Sequence, residues 1–291
     1  METTSQSPIN QRSSLFYLVY YIRHSVSAIL GFSIVGILLF LALFGPLIAP
    51  FEAETAYPDE ALEPPSARHL FGTDTIGMDV FSRVIAAPRL DFAIAVSAQA
   101  LAFLIGAPLG IIAGYYKGWH IEILMRAFDF LQAFPVFILA LALVTVTGQN
   151  LSNVIIVIGL INIPVYARLV RGEVLALKTR DFVEAARIAD NTDLSIMFRH
   201  IMPNSLTSAL IQTSANIGAT ILLTAGLSFI GVGVRMPQAE WGLMISRGAR
   251  NMITGHWWPA FFPGVAMAIA VLGFALVGDT LRDALDPTKR R

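Results

Sequence analysis

The residues of this 291-residue chain that could do covalent chemistry stand in no arrangement suited to it. There is no cysteine, which excludes disulfides and thiolate metal sites. The five histidines, His24, His69, His120, His200 and His256, are scattered without metal-ligand spacing. Asp74 and Asp79 come nearest to a metal site, but no histidine or third carboxylate stands at a ligand spacing from them. No nucleophile is matched to a base. No G-x-x-x-x-G-K-[ST] run is present to cradle nucleotide phosphates, and the basic residues are dispersed rather than gathered into a nucleic-acid footprint. The expectation is no catalytic residue, no cofactor, no metal ion and no nucleic-acid partner.

What remains is a segment suited to contact. Residues 181–204, DFVEAARIADNTDLSIMFRHIMPN, are charged and helix-forming, yet they lie between long apolar runs, which puts them in water beside a membrane. Asp181-x-x-Glu184 has the spacing of a capping box, in which each side chain satisfies a first-turn amide of the other. Ala185, Ala186 and Ala189 offer a small-residue face for close approach by another protein. Asp190, Asn191 and Thr192 break the helix, Leu194, Met197, Phe198 and Ile201 begin a second apolar stripe, and Pro203 ends it. Such a helix–break–helix lying at the membrane surface suits the docking of a cytoplasmic partner. Glu184 may be read as a helix cap, as a docking residue, or as both.

The elements that position this segment are membrane spans. The chain is 55% hydrophobic and 14% charged, with a mean hydropathy of +0.66, outside the balance of a soluble domain. Roughly 20 helical residues cross the hydrocarbon. Uncharged runs occupy 25–51, 92–116, 130–167, 201–234 and 251–278, and Thr147-Gly148-Gln149-Asn150 divides the third into two. Six helical spans follow, because lipid does not tolerate unpaired backbone. The run 201–234 is too long for one straight crossing. Gly218, Gly226, Gly231 and Gly233 suggest a break near its outer end, with close helix packing as the other use for small residues.

Six spans put both termini on one side. That side would hold Arg12, Arg23, Lys117, Arg126, Arg168, Arg171, Lys178, Arg180, Arg187, Arg199, Arg282 and the three basic residues 289–291. The other side would hold only Arg68, Arg83, Arg89, Arg235, Arg247 and Arg250. The positive-inside rule therefore predicts cytoplasmic termini and a cytoplasmic 181–204 element. The first apolar core is longer than that of a signal peptide, so no cleavage is expected there. The aromatic run 15–22 either lies along the inner interface or extends the first helix. Arg126 with Asp129, and Asp279 with Arg282 and Asp283, sit at span boundaries, where local ion pairing is expected. In the outer loop 52–89, prolines predict an irregular path, and Gly72-Thr73-Asp74 and Gly77-Met78-Asp79 predict turns with Asx-type bonds. His256 beside Trp257-Trp258 is placed in an aromatic belt.

Several of these stretches carry a family resemblance. Glu184-Ala185-Ala186 with Met202-Pro203 is similar to the EAA motif of permease subunits of binding-protein-dependent ABC importers, whose coupling helix fits a cleft on the ATPase subunit. That family usually has Gly where this chain has Asp190, a residue that still tolerates the left-handed bend. The run His69 to Ile85 resembles the motif before the second span in the dipeptide/oligopeptide/nickel subfamily, with Met78 in place of a common Arg. Ala133-Phe134-Pro135, Tyr166 to Gly172, Leu227 to Gly233 with Glu240-Trp241-Gly242, Phe262-Pro263-Gly264 and Gly278 to Pro287 extend it in order.

The resemblance implies an all-α polytopic membrane protein of six transmembrane helices, a type-1 ABC importer permease fold with a cytoplasmic coupling helix. It divides the chain into a cytoplasmic segment 1–24, a first span 25–50, a periplasmic loop 51–87, a permease domain 88–279 with coupling element 181–204, and a cytoplasmic tail 280–291. The implied ATPase-coupling residues are Glu184, Ala185, Ala186, Asp190, Asn191 and Pro203, and the candidate outer gate is Gly231, Gly233 and Trp241. The implied function is translocation of peptides or similar small solutes across a bacterial inner membrane by alternating access. The implied partners are a second homologous permease, one or two ATPase subunits, a periplasmic solute-binding protein and membrane lipid. A self-contained secondary transporter or channel is the alternative. It would need buried ionisable residues near the midplane, and the spans are almost free of them. A membrane-embedded enzyme would need a catalytic cluster.

Overall fold

Residues 24–285 are described by a computed structural model. The aromatic run 15–22, Arg12, Arg23 and residues 286–291 lie outside the described residues. Five helical units are long and apolar enough to cross a membrane. They are α1 (Val26–Ile48), the continuous pair α2 (Val80–Ala86) and α3 (Pro88–Tyr115), α6 (Leu151–Leu177), α8 (Thr207–Ile230) and α10 (Trp258–Leu285). Among the described residues the only β feature is an isolated bridge between Thr73 and Asp79.

The expected span after residue 130 is different in kind. It is a bent pair, α4 (Trp119–Gln132) and α5 (Val136–Thr147), turned by 94° across Ala133-Phe134-Pro135. Pro135 has an extended backbone and no amide hydrogen to continue α4, so the chain restarts there. The 12 residues of α5 rise only about 18 Å, less than the hydrocarbon thickness. A sixth crossing exists only if the pair counts as one span. The turn into α6 is as expected: Gly148 takes φ 104°, and Asn150 caps α6 by accepting from the Asn153 amide at 2.8 Å.

The centre of the bundle is the α3–α6 pair. Gly106, Gly110 and Gly114 recur every four residues along one face of α3. A Cβ on Gly106 would come within 2.6 Å of the Ile163 carbonyl, and one on Gly110 within 2.5 Å of the Ala167 carbonyl. Close backbone approach through small residues is how helices gain packing energy without a hydrophobic drive in lipid. A buried polar clasp ties in α8: Tyr166 donates to Gln99 Oε1 at 2.8 Å, and Gln99 Nε2 donates to Thr220 at 2.6 Å. Helix α1 buries only Ala28, Gly31, Leu38 and Gly45, leaving most of its surface for lipid.

The long run 201–234 resolves into Met202–Ser205 and a single straight α8 ending at Gly231, which takes φ 90°. Gly218 and Gly226 are interior to α8 and pack on Phe274 and Phe137, so for these two the packing use holds. The last helix starts at Trp258 and continues to Leu285, so Asp279, Arg282 and Asp283 lie on its final turns.

Candidate functional site

Residues 181–204 form two arms. The first is α7 (Asp181–Ile188). The capping box does not form: Arg180 is the N-cap, with extended backbone and no side-chain cap bond. The chain leaves α6 through a tight turn, and the Arg180 carbonyl already accepts from Val183 at 2.9 Å and Glu184 at 3.3 Å. Asp181 and Glu184 therefore both fall inside the first turn, where carboxylates favour the helix dipole.

At the other end Asp190 takes φ 56°, the left-handed conformation. The Asn191 amide reaches back to the Ala186 carbonyl at 3.2 Å and the Asp190 amide to Arg187 at 3.0 Å, the bond pair of a Schellman motif. Asn191 Nδ2 adds a second bond to the Ala186 carbonyl at 3.0 Å. Thr192 then caps the second arm, accepting from the Ser195 amide at 3.3 Å.

The second arm runs through Asp193–Ser195, a wide π-type stretch Ile196–Ile201, and Met202–Ser205. The wide turn changes which side chains face inward. Ile196, Met197 and Ile201 are buried, whereas Leu194 and Phe198 point outward, against the expected stripe. Pro203 does not stop the arm. It occupies the first turn of Met202–Ser205, where its missing amide costs nothing.

Val183 and Ala186 of α7 join Ile196, Met197 and Ile201 against Ala107, Ile111, Tyr166, Val170 and Val174. The element is thus seated on the adjoining halves of α3 and α6. Ala186 belongs to this seat, whereas Glu184, Ala185, Ala189, Asp190 and Asn191 are outward. Phe182, Ile188 and Leu194 are outward too, and Ile188 is 87% exposed. The break at Asp190 separates Phe182 and Ile188 from Leu194, so no single helical period joins these apolar residues. Beneath them Lys178 donates to the Gly114 carbonyl at 3.0 Å, and burial together with Lys117, Arg187 and Arg171 holds its ammonium below the usual lysine range.

The candidate gate residues lie at the opposite end. After Gly231 the chain folds back, and Gly233 packs against Ser228, whose hydroxyl accepts from the Val234 amide at 3.2 Å. Trp241 opens α9 (Trp241–Ala249) and is buried. Its indole donates to the Val84 carbonyl at 3.2 Å, and its amide lies 3.4 Å from the Asp91 carboxyl. Glu240 caps α9, accepting from the Gly242 and Leu243 amides at 2.9 and 2.6 Å. Both the Glu240 and the Asp91 carboxyls are buried. Burial pushes the Glu240 carboxyl above its usual range.

The loop 52–89 has a polar core that sequence spacing hid. His69 is fully buried between two carboxylates, Nδ1 at 2.8 Å from Asp79 and Nε2 at 3.2 Å from Glu60. Glu60 also pairs with Arg68. Asp74 is elsewhere, accepting the Ile76 and Met78 amides at 3.0 Å as an Asx turn. Arg83, also buried, binds the carbonyls of Ala53, Pro237 and Gln238 at 2.7–3.0 Å, joining this loop to the α8–α9 connection. Trp258 is core and not belt, its indole donating to the Thr73 carbonyl at 3.1 Å. Asp129 pairs with Arg168 of α6 at 2.7 Å, not with Arg126 on its own helix as expected.

A helical bundle that carries a seated, outward-facing helical knob and a hydrogen-bonded outer loop is the build of a transport permease subunit. The chain belongs to the family of inner membrane components of binding-protein-dependent transport systems, whose model matches residues 106–291. Residues 18–65 match the N-terminal TM domain of oligopeptide transport permease C. The dipeptide transport system permease protein DppC of Alkalihalophilus pseudofirmus is 40% identical over 260 residues, 89% of this chain and 85% of that protein. The glutathione transport system permease protein GsiD of Pectobacterium atrosepticum is 38% identical over 268 residues, 92% of this chain and 88% of that protein. GsiD of an Escherichia coli strain is 41% identical over 252 residues, with coverages of 86% and 83%. This is therefore a multi-pass inner-membrane permease subunit with the type-1 importer fold.

Proposed function

We propose that this chain forms half of the translocation path of an importer for peptides or similar small solutes. A second homologous permease supplies the other half, one or two separate ATPase subunits drive it, and a periplasmic solute-binding protein delivers the solute. Both termini and the 181–204 element are cytoplasmic, as the distribution of basic residues favours. The relatives named for dipeptide and glutathione transport support peptides as the substrate class.

The observation that carries this reading is the seated knob. Glu184, Ala185, Ala189, Asp190 and Asn191, with Phe182, Ile188 and Leu194, form an outward surface rigidly backed by Val183, Ala186, Ile196 and Met197 on α3 and α6. A push on the knob moves both helices, since packed cores shift as units. Pro203 helps route the second arm into α8. Gly231 and Gly233 form the outer hinge, with Trp241 as its anchor.

The test is purification of the chain from its native membranes in mild detergent, followed by reconstitution. Recovery with a second permease and a Walker-motif ATPase, and uptake that requires ATP, is expected. Uptake that persists without ATP on an ion gradient alone would overturn the reading in favour of a secondary transporter.

A further inference from the structure

The half of the bundle adjoining the coupling element is not solidly packed. A cleft of about 620 Å3 opens between the end of α4, the last turns of α6 and the start of α8. That volume is in the range of small-molecule sites. Its walls carry both signs of charge: Arg168 and Glu173 of α6, with Gln132 and Gln212 beside them and Gly172 and Ala176 giving it width.

Three of these polar groups are held by a neighbour. Asp129 fixes Arg168 at 2.7 Å, Ser208 donates to Glu173 at 2.6 Å, and Gln212 donates to Asn216 at 2.9 Å. Those bonds leave capacity, since a guanidinium has five N–H groups and a carboxylate about four lone-pair sites. Arg168 and Glu173 stand five residues apart on α6, about 7.5 Å along the axis and about 140° around it, and both line the cleft.

We propose that this cleft is a transit site for short zwitterionic peptides, in which Arg168 takes the carboxylate and Glu173 the ammonium. The proposal rests on the importer function argued above and names the feature of the solute that the permease itself reads. An Arg on a carboxylate supplies a charge-assisted bond, and a carboxylate on an ammonium does the same at the other end. A solute of no net charge crosses such a cleft without leaving either wall group unpaired.

The test exploits an open position. No atom lies within 4 Å of where a Cβ on Gly172 would be, and the chain holds no cysteine. Gly172→Cys therefore places one thiol of this chain in the cleft, and its modification by a charged maleimide is read by mass spectrometry. The purified importer complex is used without its binding protein. A free alanine dipeptide at millimolar concentration is expected to slow modification severalfold, and its N-acetylated, C-amidated analogue to leave the rate unchanged. Adding Glu173→Gln or Arg168→Gln should abolish the protection. Equal rates with and without dipeptide, equal protection by the blocked analogue, or a thiol already shielded by the partner permease would each overturn the proposal. If Gly172→Cys fails to assemble, Ala176→Cys reports on the same cleft. ATP-driven uptake that survives a negative result separates failure of the cleft from failure of the importer reading.

Discussion

Tyr115, the last residue of α3, donates its hydroxyl to the Asp193 carboxylate at 2.5 Å across 78 positions of sequence. The Arg187 guanidinium lies 5.8 Å from the centre of the same ring. One aromatic side chain thus ties both arms of the 181–204 element to the end of a membrane-spanning helix.

Tyr115→Phe keeps the ring and removes the donor. A hydrogen bond to a charged group contributes about 1.5–3 kcal/mol when shielded, and this exposed one should contribute about 1 kcal/mol. The expected outcome is retained ATP hydrolysis with solute moved per ATP reduced about fivefold. Parallel measurement of uptake and hydrolysis in proteoliposomes checks it. An unchanged ratio would show that the apolar seat alone transmits the motion.

Asp190 supplies a left-handed turn that glycine would supply at less strain. Asp190→Gly should leave melting of the solubilised complex unchanged or raise it, since glycine takes φ 56° freely. Asp190→Val should lower stability by about 1–2 kcal/mol, because a β-branched residue is strained there. If Asp190→Gly instead loses assembly at normal stability, the carboxylate makes a contact with a partner.

The bend at Asp190 was legible because turn chemistry is local: few residues other than glycine, asparagine and aspartate accept it. The long apolar runs were legible for a similar reason, since composition alone separates lipid-crossing helices from soluble ones. The buried side of the second arm was half legible. Helical spacing put Met197 and Ile201 on one stripe, and both are buried, but it also put Leu194 and Phe198 there and missed Ile196, because a widened turn leaves no mark in hydropathy. Nor could spacing show that His69 meets Glu60 and Asp79, or that Asp129 meets Arg168, because those partners come from chain folding back on itself. The bend at Pro135 had a local signal, the proline, but uncharged flanks on both sides made one continuous span the simpler inference.

Glu240 makes outer-end stability depend on pH. Burial raises its carboxyl above the ordinary 4.5, so the folded state holds a proton that the unfolded chain has released. Stability from this group is fully present below the unfolded value and is lost as pH rises through the folded one. Glu240→Gln, which still offers an oxygen to the Gly242 and Leu243 amides, should flatten that decline. Melting of the purified complex across pH 5 to 8 (in wild type and variant) reads the difference. Parallel curves would show that Glu240 is not the group behind the decline.

The last prediction concerns the outward apolar residues. Ile188 is 87% exposed and makes no contribution to the seat, so Ile188→Asp should change stability by no more than about 0.5 kcal/mol. If this face enters a cleft on the ATPase, however, the new carboxylate is buried there without a partner, at a cost of several kcal/mol. The expected result is a variant that still co-purifies with the second permease but loses most of its ATPase. Ile196→Asp is the contrasting control: that side chain is 1% exposed within the seat, and its replacement should destroy the whole complex. Quantifying ATPase against permease in the purified material separates the two. Normal ATPase content in Ile188→Asp would mean that docking uses only the polar residues around Glu184 and Asp190.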